Sequence, residues 1–173
     1  MSAKYSALEV ASLFIQMANS LPNHHIDNLK LNKLCYYAQG WSLAKRGEPL
    51  FDEDIQAWQY GPVIPSVYNA YKGYVSNYIT GSIDKLDESR LNEEEVEIIT
   101  DVYINYGKYS SAGLIDMTHK KGTPWSEVYV PLENNTITQE AMKEYFSSCV
   151  DEMKDSDYVF SSDNIVYGVA EEE

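Results

Sequence analysis

The sequence has few of the residues on which most catalytic and metal sites depend. Among 173 residues, three are histidine and two are cysteine. It contains no glycine-rich phosphate loop, no dinucleotide-binding fingerprint, no nucleophile elbow and no HExxH motif. We therefore predict no catalytic residue, no metal site and no cofactor, and we predict that the protein is not an enzyme.

Basic charge is also scarce. The chain has 13 lysine and arginine residues against 27 aspartate and glutamate residues, which gives a net charge of −14. A field of this sign repels phosphate backbones and anionic lipid headgroups. Direct nucleic-acid binding and membrane binding are both disfavoured. The basic residues Lys30, Lys33, Lys45 and Arg46 are predicted to lie on a solvated helix face.

Long apolar segments are missing as well. No run approaches the ~18 apolar residues that span a bilayer, and the N-terminal segment is amphipathic rather than a signal peptide. Cys35 and Cys149 lie far apart within apolar helical patterns, which is typical of reduced thiols rather than of a disulfide framework. We expect a soluble protein of the cytoplasm.

The length and the hydrophobic patterning predict one mainly α-helical domain of about six helices, with a small antiparallel β element around residues 54–60. The domain is expected to cover residues 1–153. Residues 154–173 form an acidic C-terminal extension, and deleting the residues after about 156 should cost little stability. The role of this extension is open at this stage, as is the oligomeric state.

Helix ends are marked by local signals. Ser6 with Glu9 and Asn92 with Glu95 form capping boxes, and Thr138 begins a third amphipathic pattern that continues to Met153. Gly40 lies inside the predicted second helix, where glycine costs roughly 1 kcal/mol relative to alanine. A close-packed neighbour is the predicted reason for this glycine.

A short strand runs from Asp54 into a turn at Gly61 and Pro62. Tyrosines are dense around this turn, and tyrosine is favoured at binding surfaces because it presents a large, rigid area with a polar tip. We predict that a partner protein binds there. The predicted contact residues are Tyr60, Tyr68, Tyr71 and Tyr74.

Two weaker constellations compete with this interpretation. His24, His25 and Asp27 could be written as metal ligands, but adjacent side chains diverge and no recognised ligand set is complete. Asp116 and His119 are three residues apart on a predicted helix, where an acid–base pair of a hydrolase could lie. We favour a solvated loop for the first group and a structural role for His119 in the second.

Three strings, at residues 31–41, 55–65 and 118–125, resemble the signature of the Panacea domain. This is an antitoxin family that includes the SocA-like proteolytic adaptors and phage-associated GepA-like proteins, and the resemblance extends over about residues 7–147. The signature residues of this chain are Tyr37, Gln39, Gly40, Trp41, Trp58, Gly61, Pro62, His119, Pro124 and Trp125. Most of them are expected to be architectural.

The resemblance implies a non-enzymatic antitoxin that binds a cognate toxin or delivers it to an ATP-dependent protease. It does not identify the toxin. Two alternatives remain at this stage: an acidic, phage-type inhibitor of host defence that mimics nucleic acid, and, less favoured, a hydrolase that uses Asp116 and His119.

Overall fold

The computed structural model describes residues 3–150, 159–161 and 164–166. The described part is mainly α, as predicted, with seven α-helices where about six were expected. The helices are α1 (Ala7–Ser20), α2 (Asn28–Arg46), α3 (Pro65–Tyr71), α4 (Glu93–Tyr106), α5 (Ser111–His119), α6 (Pro124–Val128) and α7 (Gln139–Ser148). Short 3-10 helices lie at Lys72–Tyr74 and Glu88–Arg90.

The predicted caps begin the helices. Ser6 and Glu9 form a complete capping box at α1, and Asn92 and Glu95 form a second at α4. Side-chain oxygens of Ser110, Thr123 and Thr138 accept backbone N–H groups at the starts of α5, α6 and α7. Each cap satisfies one of the N–H groups that a helix start leaves without an internal partner.

Helix α2 is the centre of the fold. It packs against α1, α3, α4, α5, α7 and the second strand, and 14 of its 19 residues are buried. Most helices bury one stripe, but α2 is covered on nearly every side. Its polar residues therefore lie inside the protein: Asn32 and Gln39 are buried with their amides hydrogen-bonded to backbone groups.

The β element is a three-stranded antiparallel sheet in the order β2-β1-β3, formed by β1 (Ile55–Trp58), β2 (Gly61–Val63) and β3 (Thr136–Ile137). The sequence predicted the first strand but not the third. It placed the turn at Gly61 and Pro62, which belong to β2, whereas Gln59 and Tyr60 form the turn. Strand β1 pairs with β2 from Gln56–Val63 to Trp58–Gly61, and with β3 through Ile55–Ile137. Because Trp58 pairs with Gly61, only two residues connect β1 to β2.

Helix α7 ends earlier than the pattern predicts. It closes at Ser148, where the N–H of Cys149 donates to the carbonyl of Phe146 at 3.1 Å in a tightened final turn. The expected domain boundary at residue 153 lies outside the described residues. Two further strands, β4 (Val159–Ser161) and β5 (Asn164–Val166), pair antiparallel.

Candidate functional site

The candidate site is centred on the connection between β1 and β2. Gln59 and Tyr60 form a two-residue turn, and Gly61 follows at a φ of +107°, a conformation that residues with a Cβ rarely adopt. The turn is fixed from below, because the side-chain oxygen of Asn32 accepts the N–H of Ile64 at 3.0 Å. The backbone angle of Gly61 is by itself a sufficient reason for glycine at this position.

Exposed and half-buried rings surround this turn. Tyr60 is 54% exposed, and the half-buried Trp58 and Tyr68 pack edge to face with their centroids 5.0 Å apart. The indole N–H of Trp58 donates to the side chain of Gln56 at 2.9 Å. We call Trp58, Tyr60 and Tyr68 the turn surface. It combines the exposed ring of Tyr60 with two rings that pack against each other.

Lys33 lies directly beneath the turn. The predicted solvated position of this lysine is wrong: it is fully buried, because β2 and α5 cover the face of α2 that carries it. A Cβ added to Gly61 would lie 2.5 Å from the lysine Cε and 2.8 Å from the hydroxyl oxygen of Thr118. Burial lowers the pKa of Lys33 to about 7, although the charge of Asp27 opposes the shift.

A stack of three rings borders the same turn. The rings of His119 and Trp125 are 3.8 Å apart and nearly parallel, and Tyr129 stacks on the other side of Trp125 at 4.4 Å. The indole N–H of Trp125 donates to the carbonyl of Trp58 at 2.7 Å. This hydrogen bond ties helix α6 to the end of β1.

His119 is half-buried at the end of α5. Burial lowers its pKa, the nearby charge of Lys33 lowers it further, and Asp116 opposes both effects. Among the described residues, neither His119 Nε2 nor Lys33 Nζ has a hydrogen-bond partner. Asp116 is exposed, and in the described part of the chain no hydrogen bond joins its carboxylate to the ring of His119.

The predicted tyrosines fall in different environments. Tyr60 and Tyr68 belong to the turn surface, and Tyr74 is half-buried with its hydroxyl 3.4 Å from that of Thr80. Tyr71 is 1% exposed and its oxygen accepts the N–H of Ile83. A partner cannot contact Tyr71 directly, so its inclusion in a surface patch was wrong.

Several signature residues hold α2 to its neighbours. The Gln39 amide oxygen accepts the N–H groups of Leu50 and Phe51, and its nitrogen donates to the carbonyl of Phe51 at 2.7 Å. The Trp41 indole donates to the hydroxyl of Tyr106 at 3.0 Å. The ring of Tyr37 stacks on that of Tyr106 at 3.8 Å. These contacts join α2 to the segment around Leu50 and to α4.

Gly40 has the close neighbour that the sequence predicted. A Cβ at this position would collide with the ring of Phe146 on α7. The ring lies against Tyr36, Tyr37 and Trp41, with centroid distances of 5.6, 6.0 and 5.3 Å. The missing side chain of Gly40 therefore lets α7 approach α2 closely.

The cysteines lie where a nucleophile gains no activation. Cys35 is fully buried, and burial raises the pKa of its thiol. Cys149 is partly buried, and neither cysteine is in a disulfide. Because the thiolate is the reactive form of cysteine, the environment of Cys35 opposes nucleophilic chemistry.

His24 and His25 contribute to a separate cleft of about 590 Å³ between the start of α2 and the start of α5. The His24 Nδ1 lies 2.7 Å from the Tyr103 hydroxyl, and the ring of His25 stacks on Tyr78 at 4.4 Å. Within residues 3–150 and the two short strands, no three metal-binding side chains converge.

The same residues include no helix long and apolar enough to span a membrane.

The sequence missed three contributors to the site, which are Lys33, Thr118 and Tyr129. Thr118 is buried, and its carbonyl accepts the Thr123 hydroxyl at 2.7 Å. One signal for Lys33 was available, because the residues around it on the helix are largely apolar or aromatic.

Comparison with known proteins supplies the family context. A family model described as "Antitoxin SocA-like, Panacea domain" matches residues 31–126, which include Lys33, the turn and the His119–Trp125 pair. A curated protein named Antitoxin SocA, from Caulobacter vibrioides (strain NA1000 / CB15N), is 32% identical over 131 residues. The aligned region covers 70% of this chain and 69% of that relative. No solved structure matches the chain.

Proposed function

The chain belongs to the SocA-like, Panacea-domain antitoxin family, and from this membership we propose that it neutralises a cognate toxin protein by binding to it directly, without catalysing a reaction. The 32% identical relative carries the name antitoxin. The family match also covers the turn and the helices that support it. Both observations favour protein binding as the activity.

The observation that carries the proposal is the turn surface. Tyr60 projects from a hairpin whose strands are paired up to the turn, and Trp58 and Tyr68 are held beside it. Rings that are ordered before binding lose little conformational entropy when a partner covers them. We place the toxin contact on Trp58, Tyr60 and Tyr68, with Tyr74 as a further contact residue. Tyr71 is buried and is not a contact residue.

The test uses the product of the adjacent open reading frame as the candidate toxin, because antitoxins are usually encoded beside their toxins. Tyr60→Ala should weaken the binding of that toxin at least tenfold, as for the loss of a central aromatic contact. Tyr78→Ala is the matched control, since Tyr78 is 56% exposed but lies against His25 in the other cleft. Equal losses for both variants would show that the turn surface has no special part in binding.

The same purified components separate direct neutralisation from delivery to a protease. If binding alone neutralises the toxin, a stoichiometric complex should be inactive when no protease is present. Asp116→Asn should retain neutralisation, because we assign this residue no chemical step. Loss of activity in His119→Gln, with stability and toxin affinity unchanged, would favour the hydrolase alternative.

One observation supports the nucleic-acid mimicry alternative. Glu93, Glu94 and Glu97 are exposed together at the start of α4, in a chain whose net charge is −14. Inhibition of a basic partner through this surface should weaken steeply as ionic strength rises. Binding through the turn surface should change little with salt, so one salt titration distinguishes the two.

A further inference from the structure

Lys33 differs from the other basic residues of α2 in having no partner. Lys30 Nζ donates to the carbonyl of Gly107, Arg46 pairs with Glu95 at 3.3 Å, and Lys45 lies over the ring of Trp41. Lys33 Nζ is buried, and no described residue accepts a hydrogen bond from it. Burial of an amine in this way is unfavourable unless something pairs with it.

A second buried nitrogen borders the same turn. His119 Nε2 is also buried and also has no hydrogen-bond partner among the described residues. It belongs to α5, whereas Lys33 belongs to α2, and these two helices pack against each other. Burial lowers the pKa of His119, and the charge of Lys33 lowers it further. Lys33 lies against Gly61, and His119 borders the same turn through Trp125, which stacks on its ring and donates to the carbonyl of Trp58. Both nitrogens can donate to an oxygen when protonated.

The aspartates on α2 and α5 do not pair with Lys33. Asp27 on α2 accepts the N–H of Lys30 at 2.8 Å and the hydroxyl of Ser111 at 2.7 and 2.8 Å. Asp116 on α5 is exposed. These two residues contribute charge at a distance, but neither forms an ion pair with Lys33.

We propose that Lys33 and His119 form a receiving site for a carboxylate of the toxin, an aspartate or glutamate side chain that enters when the Tyr60–Gly61 turn is displaced. This inference rests on the proposed function and adds the chemistry of the group that is recognised. A carboxylate fits because its two oxygens can accept from both nitrogens, and its charge complements the ammonium group.

The turn is the route because it is a thin cover. No side chain separates the Gly61 backbone from the end of Lys33. Gln59 and Tyr60, the two residues that connect the strands, are both exposed. A toxin that contacts Tyr60 therefore acts on the same short segment that closes the site.

The first arm of the test uses the free, full-length protein and formate, the smallest carboxylate, which enters by the transient opening of the turn that the proposal requires. Lysine Cε atoms are labelled with ¹³C, and the resonance of Lys33 is assigned by its loss in Lys33→Met. Formate should shift this resonance saturably and raise the pKa of Lys33 by about one unit, because a carboxylate stabilises the ammonium form. Chloride at the same concentration is the control. An unchanged Lys33 titration in formate overturns the proposal.

The second arm measures the Kd of the toxin encoded beside the gene. Lys33→Met should weaken binding at least tenfold while the melting temperature of the free protein stays equal or rises. Lys30→Met is the matched control on the same helix, and its Kd should stay within twofold. Lys33→Gln serves if Lys33→Met does not fold. A Lys33 variant that binds as tightly as the wild type overturns the proposal.

The two arms also separate this inference from the proposed function. If the wild-type protein binds no toxin, the proposed function fails, and the formate titration still decides whether the carboxylate site exists. If the wild type binds toxin and Lys33→Met binds equally well, the antitoxin function stands and the carboxylate site does not.

Discussion

Helix α2 has two close contacts that depend on glycine, and they have opposite character. Gly40, within α2, admits the ring of Phe146, and the contact is surrounded by three other aromatic rings. Gly61, which covers α2 from the turn, admits the end of Lys33, whose amine has no hydrogen-bond partner in the described part of the chain. The first contact buries apolar surface completely, whereas the second buries a polar group that nothing satisfies.

The difference indicates a division of work along one helix. Apolar packing without voids stabilises a fold, whereas a buried unpaired amine destabilises it. A destabilising group at the centre of a protein calls for a reason beyond packing. We therefore expect the part of α2 around Gly40 to determine stability. The part around Lys33, which Gly61 covers, is expected to determine what the protein binds.

The largest effect is expected at the Gly40 contact. Phe146→Ala should lower the free energy of unfolding by about 3–5 kcal/mol, the usual cost of deleting a buried aromatic ring. Urea denaturation of the full chain measures this change. A loss below about 1 kcal/mol would contradict the division proposed above.

A double-mutant cycle tests whether the ring is the reason for the glycine. Gly40→Ala should be strongly destabilising in the wild type, because its Cβ collides with Phe146. In the Phe146→Ala background the same change should be neutral or stabilising, since alanine favours the helix by about 1 kcal/mol over glycine. Equal costs in both backgrounds would show that another contact excludes the side chain.

The next effect is expected at the turn. Gly61→Val should lower the free energy of unfolding by about 1–3 kcal/mol, because of the backbone angle and the collision with Lys33 and Thr118. Lys33→Ala should relieve part of the cost of Gly61→Ala, which a second cycle measures. An unchanged melting temperature in Gly61→Val would mean that the turn is not constrained as described.

A smaller effect should distinguish the buried amine through pH. Its folded pKa of about 7 lies below the ordinary lysine value of 10.5, so the unfolded chain binds more protons between these pH values. The free energy of unfolding must then rise with pH in this window. Between pH 7 and 8.5, the wild type should gain about 1–2 kcal/mol relative to Lys33→Met. A constant difference between the two proteins would show that Lys33 titrates normally.

The smallest effect on stability is expected from the acidic C-terminal extension. Truncation after residue 156 should lower the free energy of unfolding by less than about 1–2 kcal/mol. If the extension steers a basic partner, truncation should slow association at low salt and leave it unchanged at high salt. Stopped-flow mixing with the toxin measures both rates. Outright unfolding of the truncated chain would assign the extension to the core.

The sequence predicted well what local signals determine. The caps at Ser6, Asn92 and Thr138 depend on residues three positions apart, and each begins a helix in the structure. The glycine at position 40 implied a close neighbour, although nothing in the sequence named Phe146. Local chemistry thus located the helices but not their partners.

The burial of Lys33 could not be predicted in the same way. A helical pattern with one apolar stripe implies a solvated opposite face, but β2 and α5 arrive from later in the chain and cover that face of α2. Tyr71 was misplaced for a related reason. Its density among other tyrosines suggested a surface, whereas its helix turns it into the core.

The contact between His119 and Trp125 also gives the protein an intrinsic optical signal. The two rings lie face to face at 3.8 Å, and a protonated imidazole quenches the fluorescence of an indole that it touches. Because burial and Lys33 lower the pKa of His119, quenching should set in at a pH below the usual range of histidine. Trp125 is hydrogen-bonded to the end of β1, so its emission reports on the turn in the unlabelled protein.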